Sequence, residues 1–348
     1  MEKILINTPD SFSEIRVGER WNNFAGLIPT AGVVIITDDN VNRIYGNHFQ
    51  DFPVFVLPAG EGSKTIQTIE KLGMKLLESG VDRSGFILAI GGGVVSDIAG
   101  FLASVYMRGI RCGYISTTLL AQVDASTGGK TGVNLGGIKN ILGIIRQPEF
   151  VICDPGMLQT LPDDEFLSGL SELIKTAVIG DKGLFDLIEQ NHEKIIDRNT
   201  EILEILISRA VRFKASVVSE DEKEKGQRRV LNFGHTFGHA IEMYRSLKHG
   251  FAVAAGMELA SVLSYETGVC SKEDMIRIIN LLELFRLIDH QNIPVDVMRN
   301  LVLHDKKKSG EDINFVLTGG PGNAIINKIP VNSIIDFYKR FTEKKRKQ

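Results

Sequence analysis

Three of the seven histidines of this chain lie within fifteen positions, and their spacing constrains the second half of the chain most strongly. His235 and His239 are four residues apart, so a helix presents both imidazoles on one face, one turn apart. His249 follows after a short connection and begins a second stretch rich in small residues. Imidazole is the commonest metal ligand, and a catalytic divalent ion takes three protein ligands and keeps one open position. The cluster predicts a metal centre, although a single histidine could equally fill a helix interface.

The composition of the 348-residue chain is that of an ordinary globular protein, with 43% hydrophobic and 24% charged residues. A formal net charge of −3 does not attract polyanions such as nucleic acid or an anionic membrane surface. The N-terminus lacks the apolar core of a signal peptide, and no apolar run approaches membrane-spanning length. The three scattered cysteines form no CxxC pair, which is typical of a reducing compartment. We expect a cytoplasmic protein that binds neither nucleic acid nor membrane.

The sequence changes character near residue 155. Before it, short apolar runs followed by glycine or polar turns alternate with helical patterns, as in βαβ units with buried parallel strands. These strands are predicted at 33–37, 54–57, 86–90 and 150–153, with one more near the end at 313–317. After it, apolar residues recur at helical spacing, as in 166–179, 202–218 and 275–287. The pattern predicts an α/β domain over 1–155 and a mostly α-helical domain over 156–348, with the active site in the cleft between them.

A glycine-rich turn follows the predicted strand 86–90. Gly91, Gly92 and Gly93 precede a helical pattern, where the absence of side chains lets a diphosphate approach a helix N-terminus. The spacing departs from GxGxxG, and a tight strand-to-helix turn uses such glycines for geometry alone, so both interpretations remain open. Asp38, which ends an earlier strand, could hold ribose hydroxyls or cap a helix.

Segment 117–134, followed by Lys139 and Asn140, is dense in glycine, hydroxyl and lysine residues. Such residues supply donors around a phosphate or a polyol, whereas a solvated loop is the alternative. Leu119 and Val123 within the segment favour inward packing.

The pair Glu172 and Lys175 lies at a spacing that places both on one helix face. Such pairs are more often surface ion pairs, but the apolar residues around this one favour a buried, functional pair.

In combination, these motifs resemble the 3-dehydroquinate synthase family over nearly the whole chain. The motifs, in the family's order, are 58–64, the triple-glycine turn, 123–132, 139–140, 160–162, 172–175 and the double-histidine run. The resemblance implies a cyclase dependent on NAD and on zinc or cobalt, with a Rossmann-like N-terminal domain, a helical C-terminal domain and a homodimeric assembly. It further implies conversion of 3-deoxy-D-arabino-heptulosonate 7-phosphate into 3-dehydroquinate and phosphate, a lyase step of the shikimate pathway to chorismate and aromatic amino acids.

The resemblance also assigns roles to individual residues. It implies Glu172, His235 and His249 as metal ligands and leaves His239 to the substrate, while a zincin-type pattern lacks its glutamate because Thr236 stands there. The implied residues around the carbon skeleton are Asp124, Lys130, Lys175, Lys214, Asn232 and His239. The implied phosphate ligands are Arg108, Asn140, Lys306, Lys307 and Arg228, the last in its own subunit or in its partner. The implied NAD contacts are Asp38, Asn40, Glu61, Lys64, Gly92, Gly93, Asp97, Thr117, Thr118, Lys130, Lys139, Thr160 and Leu161.

Some positions depart from the family pattern, namely Ser96, Ser116, Asp164, Thr176 and Phe251. Phe251 is closest in sequence to the metal cluster, where we expect it to change the hydrogen bonds around the ligands. Three alternative functions remain: another sugar-phosphate cyclase of the valiolone or inosose synthase type, a metal-dependent NAD alcohol dehydrogenase, and a non-catalytic paralogue.

The ligand assignment predicts that His235→Ala abolishes metal-supported turnover, because the substitution removes one of three protein ligands. Turnover and bound metal are measured on the same purified variant. Wild-type turnover with metal still bound would remove His235 from the ligand set.

Overall fold

The computed structural model describes residues 1–9, 11–289, 291–303, 308–309 and 312–345. Contacts divide the chain into two units. The N-terminal unit comprises Met1–Phe166 and Arg198–Lys223, and the C-terminal unit comprises Leu167–Asp197 and Glu224–Gln348. This division differs from the predicted boundary between 1–155 and 156–348, because a long helix from the second half of the chain belongs to the N-terminal unit.

The N-terminal unit is built on a seven-stranded sheet in the order β1-β2-β9-β6-β5-β3-β4. Its strands are β1 (Glu2–Asn7), β2 (Phe12–Val17), β3 (Val33–Asp38), β4 (Val54–Leu57), β5 (Phe86–Gly91), β6 (Arg111–Ser116) and β9 (Phe150–Cys153). Only the pair β1 and β2 is antiparallel. Strand β5 is buried at every position because the sheet is covered on both faces there. The four strands predicted before residue 155 are confirmed as β3, β4, β5 and β9.

Helices follow the central strands in the manner of βαβ units. They are α1 (Asp39–Tyr45), α2 (Ile66–Glu78) and α3 (Gly93–Val105). Strand β4 pairs with β3 on one side of it, at the edge of the sheet. The next strands in the chain, β5 and then β6, are added on the other side of β3. Parallel sheets bind ligands beyond the carboxyl ends of their strands at such a reversal, which here lies between β3 and β5.

The segment predicted to surround a phosphate folds as a turn and a hairpin. A π-helical turn at Ala121–Ala125 precedes the antiparallel strands β7 (Lys130–Leu135) and β8 (Ile138–Ile145). Leu119 and Val123 are fully buried, so the predicted inward packing of the segment is confirmed.

The helix that the predicted domain boundary misplaced is α7 (Thr200–Glu220). Its charged side chains bind residues of the N-terminal unit. Lys214 forms an ion pair of 2.6 Å with Asp124, and Arg212 forms one of 2.5 Å with Glu2. Periodicity identifies such a helix but does not say against which unit it packs.

The C-terminal unit is mostly helical. Its helices are α4 (Asp163–Gly180), whose first turn belongs to the N-terminal unit, α5 (Lys182–Gln190), α6 (His192–Ile196), α8 (His235–Arg245), α9 (His249–Glu266), α10 (Lys272–Leu284), α11 (Val295–Leu303) and α12 (Val331–Lys345). A three-stranded antiparallel sheet joins β10 (Lys308–Ser309), β11 (Asp312–Thr318) and β12 (Ala324–Pro330), so the predicted late strand is confirmed as β11. Among the residues that the structure describes, every helix is too short or too polar to cross a bilayer.

Glycines bring α8 and α9 into close contact. A Cβ built on Gly256 of α9 would lie 1.9 Å from the carbonyl oxygen of Gly234, the residue before α8. Gly234 itself has φ of 77°, a backbone conformation that glycine adopts without strain. A Cβ on Gly250 would lie 2.0 Å from the carbonyl oxygen of Ser168 on α4. The first turns of α8 and α9 are thereby held close to α4.

We predict that Gly256→Ala destabilises the chain by roughly 1–3 kcal/mol, because overpacking between α8 and α9 outweighs the gain in helix propensity. Gly73→Ala, on α2, is the matched control. No atom lies within 4 Å of its added Cβ, so alanine there should stabilise the chain by about 0.5–1 kcal/mol. Thermal unfolding midpoints of both variants test the account, and equal midpoints would contradict it.

Candidate active site

Glu172, His235 and His249 lie together in the C-terminal unit, each with one ligand atom within 4.8 Å of the others. Glu172 lies on α4, and the two histidines are the first residues of α8 and α9. The Nε2 atoms of His235 and His249 are 3.7 Å and 3.3 Å from Oε1 of Glu172. The structure therefore brings together the three residues that the sequence predicts as metal ligands.

The second ring nitrogen of each histidine already has a partner. Nδ1 of His235 lies 3.1 Å from the carbonyl oxygen of Phe233, and Nδ1 of His249 lies 3.0 Å from Oε2 of Glu242. Both partners are acceptors, so in the neutral ring Nδ1 carries the proton and Nε2 keeps its lone pair. Histidines that bind metals are oriented in this way. In the neutral form that a metal would bind, both Nε2 atoms would therefore face the carboxylate of Glu172 with their lone pairs.

The carboxylate of Glu172 is fully buried, and its two oxygens have different neighbours. Burial alone would raise its pKa, but the ammonium of Lys175 and the imidazole of His249 hold the pKa well below its usual range. Lys175 is buried as well and forms an ion pair with Oε2. The predicted buried pair is therefore confirmed, and the second carboxylate oxygen, Oε1, faces the histidines.

The electrostatics of the cluster favour a cation. Burial lowers the pKa of His249, but its contacts with Glu172 and Glu242 outweigh burial and raise the pKa to about 10. The same carboxylates that favour a proton on this ring favour a divalent ion beside it. One carboxylate and two imidazoles also form a donor set that suits zinc or cobalt. The residues present therefore fit the predicted metal.

The remaining histidine of the run lies beside this cluster. The ring of His239 is centred 5.2 Å from that of His235 and 6.1 Å from that of His249, so the predicted common face is confirmed. His239, Glu242 and His249 form a second group with ligand atoms within 4.8 Å of one another. The sequence reasoning missed Glu242. Its position seven residues after His235, on the same helix face, is the signal that identifies it.

Other residues predicted to hold the substrate are divided between the two units. In the C-terminal unit, Asn232 donates a hydrogen bond of 2.5 Å to Glu224, and Arg228 is only 2% exposed within its own chain. Two predicted phosphate ligands, Lys306 and Lys307, lie outside the described residues.

In the N-terminal unit, Lys214 and Asp124 form a polar pair. Beyond their ion pair, the Lys214 ammonium donates a hydrogen bond of 2.7 Å to the carbonyl oxygen of Asp124. Lys214 is 6% exposed, whereas Lys130 and Arg108 are exposed. The structure thus brings two of the predicted substrate residues into direct contact.

Most of the predicted NAD contacts follow the carboxyl ends of neighbouring parallel strands, whereas Lys130 and Lys139 lie in the antiparallel β7–β8 hairpin. Asp38 is the last residue of β3, and Asn40 comes shortly after it. After β4 come Glu61 and Lys64, and after β5 come Gly92, Gly93 and Asp97. After β6 come Thr117 and Thr118, and after β9 come Thr160 and Leu161. Parallel strands end at one edge of the sheet, so these residues gather along that edge.

The structure gives a packing role to residues whose interpretation the sequence left open. Gly92 has φ of −80°, and a Cβ on it would lie 2.9 Å from Cγ2 of Thr118, so a close approach requires glycine there. The Oδ1 atom of Asp38 accepts a hydrogen bond of 2.9 Å from the backbone N–H of Val41, which caps α1. The contacts of Gly92 and Asp38 with NAD remain predictions.

A buried lysine, Lys64, links the loop beyond β4 to α3 and to the β7–β8 hairpin. Nζ of Lys64 lies 2.6 Å from Oδ2 of Asp97 and 2.5 Å from Oδ1 of Asn140. Asn134, which the sequence reasoning did not select, donates to Glu61 at 2.9 Å and accepts from the Asn140 backbone at 2.8 Å. This network joins residues predicted to contact NAD with one predicted to contact phosphate, Asn140.

Known proteins resemble this chain over most of its length. A family model described as the N-terminal part of 3-dehydroquinate synthase matches residues 54–168, and one described as the C-terminal part matches residues 169–308. The chain belongs to the 3-dehydroquinate synthase family. The enzyme of that name from Dehalococcoides mccartyi strain CBDB1 is 42% identical over 310 residues, which cover 86% of each chain. That from Thermodesulfovibrio yellowstonii is 40% identical over 351 residues, covering 94% of this chain and 96% of the relative.

Solved structures of related cyclases have the same fold. A 2-epi-5-epi-valiolone synthase from Streptomyces hygroscopicus subsp. jinggangensis 5008, with NAD+ and Zn2+ bound, matches with a TM-score of 0.87, 27% identity and coverage of 99% and 98%. A 2-deoxy-scyllo-inosose synthase complexed with carbaglucose-6-phosphate, NAD+ and Co2+ matches with a TM-score of 0.87, 25% identity and coverage of 97% and 100%. An iron-containing alcohol dehydrogenase, at 14% identity, coverage of 96% and 97% and a TM-score of 0.67, shares the fold alone.

The Lys64 network generates a prediction about pH. Burial raises the pKa of Asp97 from 3.8 to about 6, although the ammonium of Lys64 opposes the shift. Between these values the folded chain keeps a proton that the unfolded chain releases, so the contribution of Asp97 to stability falls as the pH rises from about 4 to about 6. Relative to Asp97→Asn, which lacks this titration, the wild type should lose roughly 1–3 kcal/mol of unfolding free energy across that window.

Denaturant unfolding of both proteins at several pH values measures this difference. A difference that stays constant from about pH 4 to about pH 6 would contradict the raised pKa. A difference that grows in favour of the wild type would mean that Lys64 dominates over burial.

Proposed function

We propose that this chain is a 3-dehydroquinate synthase that converts 3-deoxy-D-arabino-heptulosonate 7-phosphate into 3-dehydroquinate and phosphate, with NAD and a divalent metal as cofactors. The observation that carries the proposal is the convergence of Glu172, His235 and His249 in a chain of this family. The proposal places the reaction in the shikimate pathway.

Residues of this chain suit both cofactors. Glu172 and the Nε2 atoms of His235 and His249 would hold the metal, and the residues along the carboxyl edge of the parallel sheet would hold NAD. When bound, the metal lowers the pKa of a substrate hydroxyl and NAD accepts and later returns a hydride. Relatives of this fold bind the same cofactors, since the valiolone synthase holds NAD+ and Zn2+ and the inosose synthase holds NAD+ and Co2+.

The protein side chains would orient the substrate and stabilise charge. Lys175 compensates the carboxylate of Glu172, so this buried residue can remain ionised beside the substrate. The ring of His239, beside the two ligand histidines, can take a proton from the substrate at a ring nitrogen. Lys214, held by Asp124, presents a fixed ammonium to the anionic substrate, and its fixed position lowers the entropy lost on binding.

Alternative functions have weaker support. Other sugar-phosphate cyclases share 25–27% identity with this chain, whereas 3-dehydroquinate synthases share about 40%. Iron-containing alcohol dehydrogenases share only the fold. A non-catalytic paralogue would have no reason to retain a buried carboxylate facing two oriented imidazoles. The cleft location of the site, the homodimeric assembly, the cytoplasmic location and the roles of single residues remain predictions.

The direct test measures phosphate release and 3-dehydroquinate formation from the heptulosonate phosphate, with NAD+ and Zn2+ supplied, while NADH absorbance is followed. We expect equal amounts of both products, no accumulation of NADH because the hydride returns, and complete loss of turnover on chelation. His192→Ala, at a histidine of α6 outside the cluster, is the control variant and should keep full turnover.

Two results would contradict the proposal. Fully metallated protein that releases no phosphate would reject this substrate and direct the test to other sugar phosphates. Accumulation of NADH without phosphate release would instead indicate a dehydrogenase.

A further inference from the structure

Glu242 is a buried carboxylate on α8 that the proposed reaction does not use directly. It is 9% exposed, and its Oε2 lies 3.0 Å from Nδ1 of His249, the first residue of α9. We propose that Glu242 is a positioning residue that fixes the orientation of the His249 imidazole, so that Nε2 points to Glu172. The inference rests on the ligand set of the proposed function, and it adds a residue to which the family resemblance gives no role.

The orientation of the His249 ring depends on its contact with the Glu242 side chain, whereas the orientation of the His235 ring is set mainly by packing and by a backbone carbonyl. The side chain of His249 is 32% exposed, against 11% for His235, so packing alone restrains it less. Nδ1 of His235 is paired with a backbone carbonyl, that of Phe233, which stays in place whatever side chains surround it. Nδ1 of His249 is paired with a side chain of a different helix. The orientation of His249 therefore depends on the identity of residue 242.

The side chain of Phe251, two residues after His249, cannot hydrogen-bond to the His249 ring, so the ring needs a partner from another residue. We expected Phe251 to change the hydrogen bonds around the metal ligands, because a phenylalanine offers neither a donor nor an acceptor at that position of α9. In the structure the hydrogen bond to His249 comes from α8 instead, through Glu242. The carboxylate that orients this ring is therefore supplied by the helix of the double-histidine run.

Glu242 also belongs to the second group of ligand atoms, with His239 and His249, so its role as a metal ligand is the competing interpretation. Two observations favour positioning. Oε2 of Glu242 is already engaged by the ring nitrogen of His249. Oε1 of Glu172, in contrast, faces the Nε2 atoms of both His235 and His249, which is the side on which a shared metal would lie.

The test titrates Co2+ into the chelator-treated full-length chain and follows the visible absorption of the bound ion. Glu242→Ala should weaken Co2+ binding 10- to 100-fold, the usual effect of losing a carboxylate that orients a metal-binding histidine. Glu242→Gln should weaken it less, because the amide oxygen still accepts a hydrogen bond from Nδ1–H. At saturating Co2+ both variants should give the wild-type spectrum, since the ligand set is unchanged.

Glu258→Gln is the matched control, because Glu258 is a similarly buried glutamate of the C-terminal unit that pairs with Lys345 at 2.6 Å. It should bind Co2+ like the wild type. Circular dichroism checks that each variant is folded, and the glutamine variant decides the question if the alanine variant is not.

Wild-type Co2+ affinity in folded Glu242→Gln and Glu242→Ala would overturn the inference. An altered spectrum at saturation would also overturn it, because it would make Glu242 a ligand. A wild-type chain that binds Co2+ but releases no phosphate would contradict the proposed function, while a lowered affinity in the Glu242 variants would still support the positioning role.

Discussion

The structure of the C-terminal unit depends on the burial of one charge, the carboxylate of Glu172. An ion taken out of water loses several kcal/mol of solvation, which only close partners can offset. Lys175, one turn along the same helix, supplies an ammonium to one oxygen, and the other oxygen faces His235 and His249. Three helices must therefore meet at this residue. The contacts of Gly250 with α4 and of Gly256 with the residue before α8 allow the backbones to approach that closely.

In the N-terminal unit, buried hydrogen bonds hold several segments in fixed positions beyond the end of the parallel sheet. Lys64 is buried and hydrogen-bonded to Asp97 and Asn140, so one ammonium joins the loop after β4, the helix α3 and the β7–β8 hairpin. Asn134 adds two hydrogen bonds to the same network. Such crosslinks fix loop positions before any ligand binds, which reduces the entropy that binding must overcome.

Sequence patterns predicted β3, β4, β5 and β9 and several of the helices, because burial leaves an apolar run or a helical period in the sequence, but they did not predict the central strand β6. The β7–β8 hairpin was missed since β8 is exposed at nearly every position and carries no alternation that marks a half-buried strand. Strands β1 and β2 were also missed, because their buried positions alternate but their residue types do not: Leu5 of β1 is exposed and Ser13 of β2 is buried. The grouping of α7 with the N-terminal unit reflects contacts between residues distant in sequence, the ion pairs with Glu2 and Asp124 among them, which periodicity does not encode.

The residues of the candidate site were likewise predicted only in part. The histidine spacing and the Glu172–Lys175 pair predicted a metal cluster, and the structure brings those side chains together. Glu242 was not selected, because a carboxylate on a helix face has many roles and only the position of His249 reveals this one. Asn134 was also missed, because its role is to hydrogen-bond to residues 61 and 140, and only the folded chain brings these residues close to it.

The most direct measurement is the crystal structure of the zinc-loaded protein, with the ion located by anomalous scattering. The account predicts Zn2+ bound by a carboxylate oxygen of Glu172 and by Nε2 of His235 and of His249, at about 2.0–2.2 Å each. Nδ1 of His249 should keep its hydrogen bond to Glu242. An ion held by His239, Glu242 and His249, or bound through Nδ1, would contradict it.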